Sequence, residues 1–247
     1  MKRIGITGQS GFVGTHLATS VVSSVDCELI PFKNEWFENS QALEDFVAKC
    51  DVVIHLAGLT RHPDGQFLYD VNVELCRKLV EALEAVNASP LVMFSSSIHE
   101  MRDIPYGRAK LEGGRMFADW AERHNANFIR YIFPNVYGPG AKPFYCSFVA
   151  NFAYQLTHGE EPHIQVDAPI RLVYVENLCR FILSDLHFRG IDRKVVPFDV
   201  ELKVSEVLSI FRSFIGPDGS LVECPKEDGY MRDLWMTLQS YREVVSC

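Results

Sequence analysis

The sequence predicts a doubly wound α/β fold, in which helices cover both faces of a parallel β-sheet. Short apolar runs without period-2 alternation recur along the first half of the chain, as in strands that are buried on both faces. Each of these runs is followed by a stretch with helical periodicity. The first run also ends in glycines spaced three residues apart, at positions 8, 11 and 14. Together these observations favour a parallel sheet with a ligand site at the carboxyl ends of its strands.

The elements of this first half follow one another in order. We predict strands at 4–7, 27–32, 51–56, 90–95 and 127–132. The predicted helices between them are 12–24, 41–49, 67–86 and 106–124. Residues 1–133 are therefore expected to form a dinucleotide-binding core.

Beyond residue 133, prolines interrupt the alternation of strands and helices. Helices are predicted at 147–157, 176–187, 204–215 and 230–245, and short strands at 172–175 and 195–198. We expect residues 134–247 to contain the last elements of the sheet, interleaved with a small C-terminal α/β lobe that binds the substrate.

Composition narrows the function classes. The chain of 247 residues carries a net charge of −8, so neither a nucleic acid nor an anionic membrane surface is an expected partner. Its seven cysteines are widely spaced without a C-x-x-C pair, which favours a reducing, cytoplasmic location and no metal site. No apolar run reaches the ~18 residues of a membrane span, and the first strand leaves no room for a signal peptide.

The glycine-rich turn is the first candidate site. Gly8 would allow the tight strand-to-helix turn, Gly11 would let the backbone approach a pyrophosphate, and Gly14 would let the helix pack closely. The following helix would direct its first N–H groups at the phosphates. The alternative is a glycine-rich turn without a ligand.

A Tyr-x-x-x-Lys pair, Tyr106 and Lys110, is the second candidate site. On a helix the two side chains lie on one face, and the ammonium would lower the pKa of the tyrosine so that it can act as a general acid or base. Three serines, 95–97, end the preceding strand, where a hydroxyl could donate to a substrate carbonyl. The alternatives are a solvated helix edge for the pair and a helix-capping loop for the serines.

The order of these motifs resembles that of extended short-chain dehydrogenases/reductases in the sugar-nucleotide epimerase/dehydratase family. The motifs that match are the three glycines, residues 51–58, Asn72, the serine run, Tyr106 with Lys110, residues 130–140 and residues 174–177. The resemblance implies a Rossmann fold and Ser97, Tyr106 and Lys110 as catalytic residues. Implied cofactor contacts are Gly8, Ser10, Gly11, Phe12, Val13, Gly14, Lys33, Leu56, Ala57, Gly58, Asn72, Ser95, Tyr106, Lys110 and Pro134. Implied substrate contacts are Ser97, Asn135 and Arg171, although Arg171 could equally form a surface salt bridge.

Within this family the chain is most similar to the reductase half of capsular polysaccharide assembling proteins. The short spacing between Ser97 and Tyr106 and the stretch 142–147 carry that likeness. It implies NADPH-dependent reduction of a UDP-4-keto-6-deoxy-N-acetylhexosamine, without the cupin domain that follows in those proteins. Dehydratases of the family place Asp-Glu after the active-site hydroxyl, whereas Ile98 and His99 stand here, so sugar dehydration is not expected.

The cofactor and the assembly are inferred from the same likeness. At the end of strand 2, residues 31–34 lack the acid that binds the ribose of NAD, and Lys33 could face a 2′-phosphate, so NADP is expected with NAD as the alternative. Two rival functions stay open: an NAD-dependent nucleotide-sugar 4-epimerase and a non-catalytic cofactor-binding sensor. A homodimer through helices 67–86 and 106–124 is implied, in which Leu111, Phe117 and Trp120 would serve either the interface or the core.

Overall fold

The computed structural model describes residues 1–145, 147–227 and 229–242. The chain divides into two compact units, one made of Met1–Phe133 with Cys179–Val196 and the other of Pro134–Leu178 with Pro197–Cys247. In chain order the strands are β1 (Lys2–Thr7), β2 (Cys27–Ile30), β3 (Val52–His55), β4 (Leu91–Ser97), β5 (Phe128–Phe133), β6 (Asn135–Tyr137), β7 (Pro169–Tyr174), β8 (Ile191–Val195) and β9 (Val200–Lys203). The helices are α1 (Phe12–Val22), α2 (Ser40–Val47), α3 (Gly65–Ala85), α4 (Pro105–His124), α5 (Phe148–Thr157), α6 (Val175–Ser184), α7 (Val204–Ser213) and α8 (Tyr230–Gln239).

The first unit is built on one parallel sheet with the strand order β2-β1-β3-β4-β5-β8. The chain runs outward from β1 to β2 and then returns to place β3 on the other side of β1. The predicted doubly wound parallel sheet is therefore confirmed. In such sheets ligands bind beyond the carboxyl ends of the strands where the order reverses, which here are β1 and β3.

The central strands are buried on both faces, which explains their unbroken apolar sequences. All four residues of β3 and all seven of β4 are buried. Phe117 and Trp120 of α4 pack in the same core cluster as Leu79 of α3 and Phe94 of β4. These two aromatic residues therefore belong to the core, which was one of the two places that the sequence allowed for them.

The second unit is a small α/β lobe. Its sheet has the order β6-β7-β9, with β6 parallel and β9 antiparallel to β7. Its core includes Tyr137, Phe152, Phe211 and Trp235. The short strands β6 and β9 of this lobe were not predicted from the sequence.

The strand predicted at 195–198 is wrong in its position. Strand β8 covers Ile191–Val195 and ends where that strand was expected to begin. It is an edge strand, mostly exposed, and its sequence Ile-Asp-Arg-Lys-Val lacks the apolar run that the prediction followed. Pro197, inside the predicted strand, has no N–H group to donate to a neighbouring strand.

Two further differences concern helices. A short 3-10 helix, Asn34–Glu38, follows β2 and was not predicted. The last helix ends at Gln239 rather than continuing to residue 245, and residues 243–245 lie outside the described part of the chain.

Candidate active site in the first unit

The glycine turn after β1 packs directly against the loop that follows β3. Gly8 has φ +73°, a left-handed conformation that L side chains rarely adopt. A Cβ at Gly8 would lie 2.8 Å from the backbone nitrogen of Ala57. The loops after β1 and β3 therefore meet backbone to backbone where the strand order reverses.

The start of α1 fits an anionic group. Gly14 lacks a Cβ where one would lie 2.2 Å from the carbonyl oxygen of Gly8, so the helix begins close against the turn. Gly11 is exposed and precedes the first helical residue, Phe12, and no side-chain hydrogen bond caps this helix N-terminus. The first N–H groups of α1 are thus available to a pyrophosphate, and the predicted contacts Ser10 and Val13 belong to the same segment.

A buried polar pair joins the ends of β1 and β3. Thr7 and His55 are register partners, and Thr7 Oγ1 lies 2.7 Å from His55 Nδ1. Burial, and secondarily the charge of Lys110, lowers the pKa of His55 to about 3, so the imidazole is neutral. His55 lies within the matched stretch 51–58, and no role was predicted for it from the sequence. The structure makes it a link that holds the two strand ends together.

Cys76 of α3 lies beside the other ring nitrogen of His55. Its Sγ lies 3.6 Å from His55 Nε2. A Cβ on Gly113 of α4 would come within 2.6 Å of the same sulfur, so α3 and α4 pack closely there. Burial raises the pKa of the Cys76 thiol to about 12, which makes it a packed apolar group rather than a nucleophile.

Asn72 of α3 anchors the loop that follows β3. Its amide nitrogen donates to the carbonyl oxygens of Leu59 (2.9 Å) and Leu68 (2.7 Å), and its Oδ1 accepts from the Leu59 N–H at 3.0 Å. A Cβ on Gly58 would lie 2.4 Å from that Oδ1. Asn72 therefore holds the backbone of Leu59, the residue directly after the predicted cofactor contacts Leu56–Gly58.

The three serines that end β4 have three different partners. Ser95 donates to the carbonyl oxygen of His55 at 3.1 Å. Ser96 donates to the buried carboxylate of Glu100 at 2.5 Å. Ser97 Oγ accepts the backbone N–H of His99 at 3.2 Å. The Ser97 hydroxyl therefore keeps its own proton for another acceptor.

Lys110 of α4 is a buried cation at the carboxyl edge of the sheet. Its Nζ lies 4.9 Å from the centre of the Phe94 ring, 5.8 Å from the centre of the Tyr106 ring and 3.5 Å from Ser95 Oγ. Burial lowers its pKa from 10.5 to about 8. A lysine poised near neutrality beside a tyrosine is an arrangement suited to proton transfer.

Tyr106 is half-buried in the first turn of α4, directly after Pro105. Proline is favoured at the first helical position because its missing N–H would be unpaired there in any case. Tyr106 and Lys110 thus share one helix face, as the i, i+4 spacing predicted. The structure therefore brings the tyrosine, the lysine and Ser95 together at the carboxyl edge of the sheet.

Lys33 is the residue predicted to face a 2′-phosphate. It is exposed, follows β2 and precedes the 3-10 helix Asn34–Glu38.

Two of the three predicted substrate residues, Asn135 and Arg171, belong to the second unit, whereas Ser97 ends β4 in the first unit. The side-chain nitrogen of Asn135 donates to the carbonyl oxygen of Arg171 at 3.3 Å, and Pro134 directly precedes this asparagine. The guanidinium of Arg171 pairs with Glu201 at 2.6 Å and stacks over the Phe198 ring at 5.1 Å. This exposed ion pair is the alternative that the sequence analysis gave for Arg171.

The fold and this site define a dinucleotide-binding protein of the Rossmann class, with NAD or NADP as the cofactor. A sequence profile of the NAD dependent epimerase/dehydratase family matches residues 4–188. Because the match covers most of the chain, the protein belongs to that family.

Three individual proteins are similar to this chain over nearly its whole length. A UDP-2-acetamido-2,6-beta-L-arabino-hexul-4-ose reductase from Pseudomonas aeruginosa is 25% identical over 97% of this chain. The chain spans 64% of the length of that relative. The capsular polysaccharide assembling protein CapF from Staphylococcus aureus superposes with a TM-score of 0.79 at 26% identity, over 97% of this chain and 65% of CapF. The protein RMD from Pseudomonas aeruginosa, solved with NADPH, superposes with a TM-score of 0.83 at 20% identity, over 98% of this chain and 99% of RMD.

Among the described residues, every helix is too short or too polar to cross a bilayer.

Proposed function

We propose that the protein is an NADP(H)-dependent reductase of a nucleotide-linked 4-keto-6-deoxy sugar. The observation that carries this proposal is the buried ammonium of Lys110, 5.8 Å from the centre of the Tyr106 ring, on a chain similar to a hexulose reductase over 97% of its length. A protonated tyrosine can deliver a proton to a carbonyl oxygen while a neighbouring cation stabilises the phenolate that remains.

Each catalytic side chain has one role in the proposed reaction. The Ser97 hydroxyl, whose oxygen accepts the His99 N–H, donates its own hydrogen to the substrate carbonyl oxygen. Tyr106 acts as the general acid and gives its proton to the same oxygen. Lys110 favours the phenolate form of Tyr106 electrostatically. The bound nicotinamide supplies the hydride.

The cofactor would be held by backbone more than by side chains. The turn 8–14 and the N–H groups at the start of α1 suit its pyrophosphate, and Leu56–Gly58 with Ser95 border the same edge of the sheet. Asn72 accepts a hydrogen bond from the Leu59 N–H, directly after Gly58, and so holds the end of this loop in place. Lys33 is proposed to contact the 2′-phosphate, because residues 31–34 after β2 offer no carboxylate to a ribose hydroxyl.

Substrate contacts and assembly complete the proposal. Asn135 and Arg171, on adjacent strands of the second unit, are proposed to bind the nucleotide sugar. The ion pair of Arg171 with Glu201 is exposed, so a diphosphate can compete for the guanidinium. We propose a cytoplasmic homodimer that pairs through α3 and α4.

The test is turnover with a UDP-4-keto-6-deoxy-N-acetylhexosamine. The protein is first freed of nucleotide, and its affinities for NADPH and NADH are measured. NADPH consumption is then followed by absorbance. Tyr106→Phe should lower kcat by roughly a hundredfold or more and leave NADPH affinity unchanged. Normal turnover by this variant would refute the mechanism.

Two other outcomes would replace the proposal. Tightly retained NAD and interconversion of 4-epimeric sugars without net NADPH consumption would indicate an epimerase. Firm cofactor binding without turnover of any keto sugar would indicate a sensor.

A further inference from the structure

Glu100 is buried in the loop that joins the two predicted catalytic elements, β4 and α4. Its side chain is 1% exposed. One carboxylate oxygen accepts from Arg193 Nε at 2.9 Å and Nη2 at 2.8 Å. The other accepts from Ser96 Oγ at 2.5 Å and lies 3.9 Å from Arg130 Nε. Burying a carboxylate is unfavourable unless it is paired. Because both oxygens of Glu100 have partners, these interactions hold the loop in place.

The two arginines belong to the sheet itself. Arg130 on β5 and Arg193 on β8 are register partners, so their side chains point to the same face of the sheet, where both approach Glu100. Arg130 also fills the space beside Gly114 of α4, where a Cβ would lie 2.5 Å from its Cδ. Glu100 therefore ties a surface loop to three neighbouring strands, β4, β5 and β8.

The backbone around Glu100 determines the orientation of Ser97. The Glu100 N–H donates to the carbonyl oxygen of Ser97 at 2.9 Å, and the His99 N–H donates to Ser97 Oγ at 3.2 Å. The Ile98 N–H donates to the carbonyl oxygen of Phe133 at 3.0 Å. This turn leaves Ser97 Oγ with one lone pair engaged and its proton directed elsewhere.

The same loop packs against the turn of α4 that carries Tyr106. A Cβ on Gly107 would lie 2.2 Å from the carbonyl oxygen of His99 and 2.6 Å from that of Arg102. The residue directly after Tyr106 is therefore in close contact with the loop that Glu100 anchors. Movement of the loop would displace Ser97 and Tyr106 together.

We infer that Glu100 is a positioning residue, which sets the distance and orientation between the Ser97 hydroxyl and the Tyr106 phenol by holding the loop between them. This inference rests on the proposed reductase function. Glu100 itself is buried among protein groups and does not contact the substrate. Its effect passes through the turn 97–100 and the start of α4.

Glu100→Gln tests this role, because it keeps the size of the side chain and an acceptor for Ser96 but removes the charge that faces both arginines. We expect kcat to fall on the order of tenfold to a hundredfold, since small misplacements of catalytic groups have effects of that size. NADPH affinity should stay within about twofold, because the glycine turn does not depend on this loop. Arg193→Met should reproduce the loss of kcat, and Arg193→Lys should restore part of it.

Asp185→Asn is the matched control. Asp185 is also a largely buried acid paired with a cation of β8, since it accepts from Lys194 Nζ at 2.7 Å and from the Tyr131 hydroxyl at 2.8 Å. None of these partners belongs to the loop 98–104. If Asp185→Asn lowers kcat as much as Glu100→Gln, or if Glu100→Gln weakens NADPH binding in proportion to kcat, the inference is overturned.

Amide hydrogen exchange separates this inference from the proposed reaction. In Glu100→Gln, the His99 and Glu100 amides should exchange at least about tenfold faster than in the wild type, while amides of β1 and the start of α1 stay unchanged. This measurement needs no substrate, so it applies even if the wild type reduces no keto sugar and the proposed function fails. Unchanged exchange at His99 and Glu100 would overturn the positioning role. If Glu100→Gln does not fold, Arg193→Lys provides the same comparison.

Discussion

Replacing Lys110 with methionine measures the cost of a buried ammonium at the centre of the site. In the folded chain burial lowers the pKa of Lys110 from 10.5 to about 8. A change of that size corresponds to about 3 kcal/mol. The folded wild type therefore carries a cost of that order below pH 8, where the lysine is charged in both the folded and unfolded states.

The pH dependence gives the sign of the effect. Between pH 8 and 10.5 the unfolded chain binds more protons at Lys110 than the folded chain, so this group makes the free energy of unfolding rise with pH. The Lys110→Met variant has no such proton. Its stability relative to the wild type should be highest below pH 8 and should fall by about 3 kcal/mol by pH 10.5.

The assay is urea unfolding of nucleotide-free protein at pH values from below 8 to 10.5. The quantity to follow is the difference between variant and wild type, since titrating groups that Lys110 does not influence are common to both and cancel. Lys33→Met is the control, because it removes a lysine that is exposed in the folded chain. A difference for Lys110→Met that stays constant across this range would refute the electrostatic account of the site.

Three further predictions concern the cofactor site. Gly14→Ala would place a Cβ 2.2 Å from the Gly8 carbonyl oxygen and should weaken NADPH binding about tenfold or more by calorimetry; unchanged affinity would mean that this turn does not hold the cofactor. Lys33→Glu should weaken NADPH binding about threefold to tenfold and NADH binding much less, and equal affinities in variant and wild type would remove the case for NADP. Asn72→Ala leaves the N–H and carbonyl of Leu59 without their side-chain partners and should lower the free energy of unfolding by about 1–3 kcal/mol in urea. An unchanged free energy of unfolding would show that the loop after β3 does not need the Asn72 hydrogen bonds to keep its conformation.

The parallel core could be predicted from the sequence because each of its elements carries a local signal. The buried strands β3 and β4 are apolar throughout, and the glycines around α1 are required by the turn itself. The edge strand β8 gave no such signal, since three of its five residues are charged and most are exposed. An apolar sequence indicates that residues are buried, not that they pair with a neighbouring strand. The strand was therefore predicted at the apolar pair Val195–Val196 instead of at Ile191–Val195.

The site residues likewise fall into those with a local sequence signal and those without one. Tyr106 and Lys110 could be paired from their spacing, because a helix brings i and i+4 together. Glu100 could not be identified, since its main partner Arg193 lies 93 residues away and nothing local separates a buried acid from its exposed neighbour Asp103. The role of His55 depends on the register between β1 and β3, which is likewise a tertiary property.

The close approach of Gly113 to Cys76 has a practical consequence. A reagent that alkylates thiols needs room for a new group on Sγ, and that room is filled by the backbone of the facing helix. The thiol also stays protonated at ordinary pH. Labelling of Cys76 therefore requires α3 to separate from α4, and its rate in the native protein reports how often this pair of helices opens.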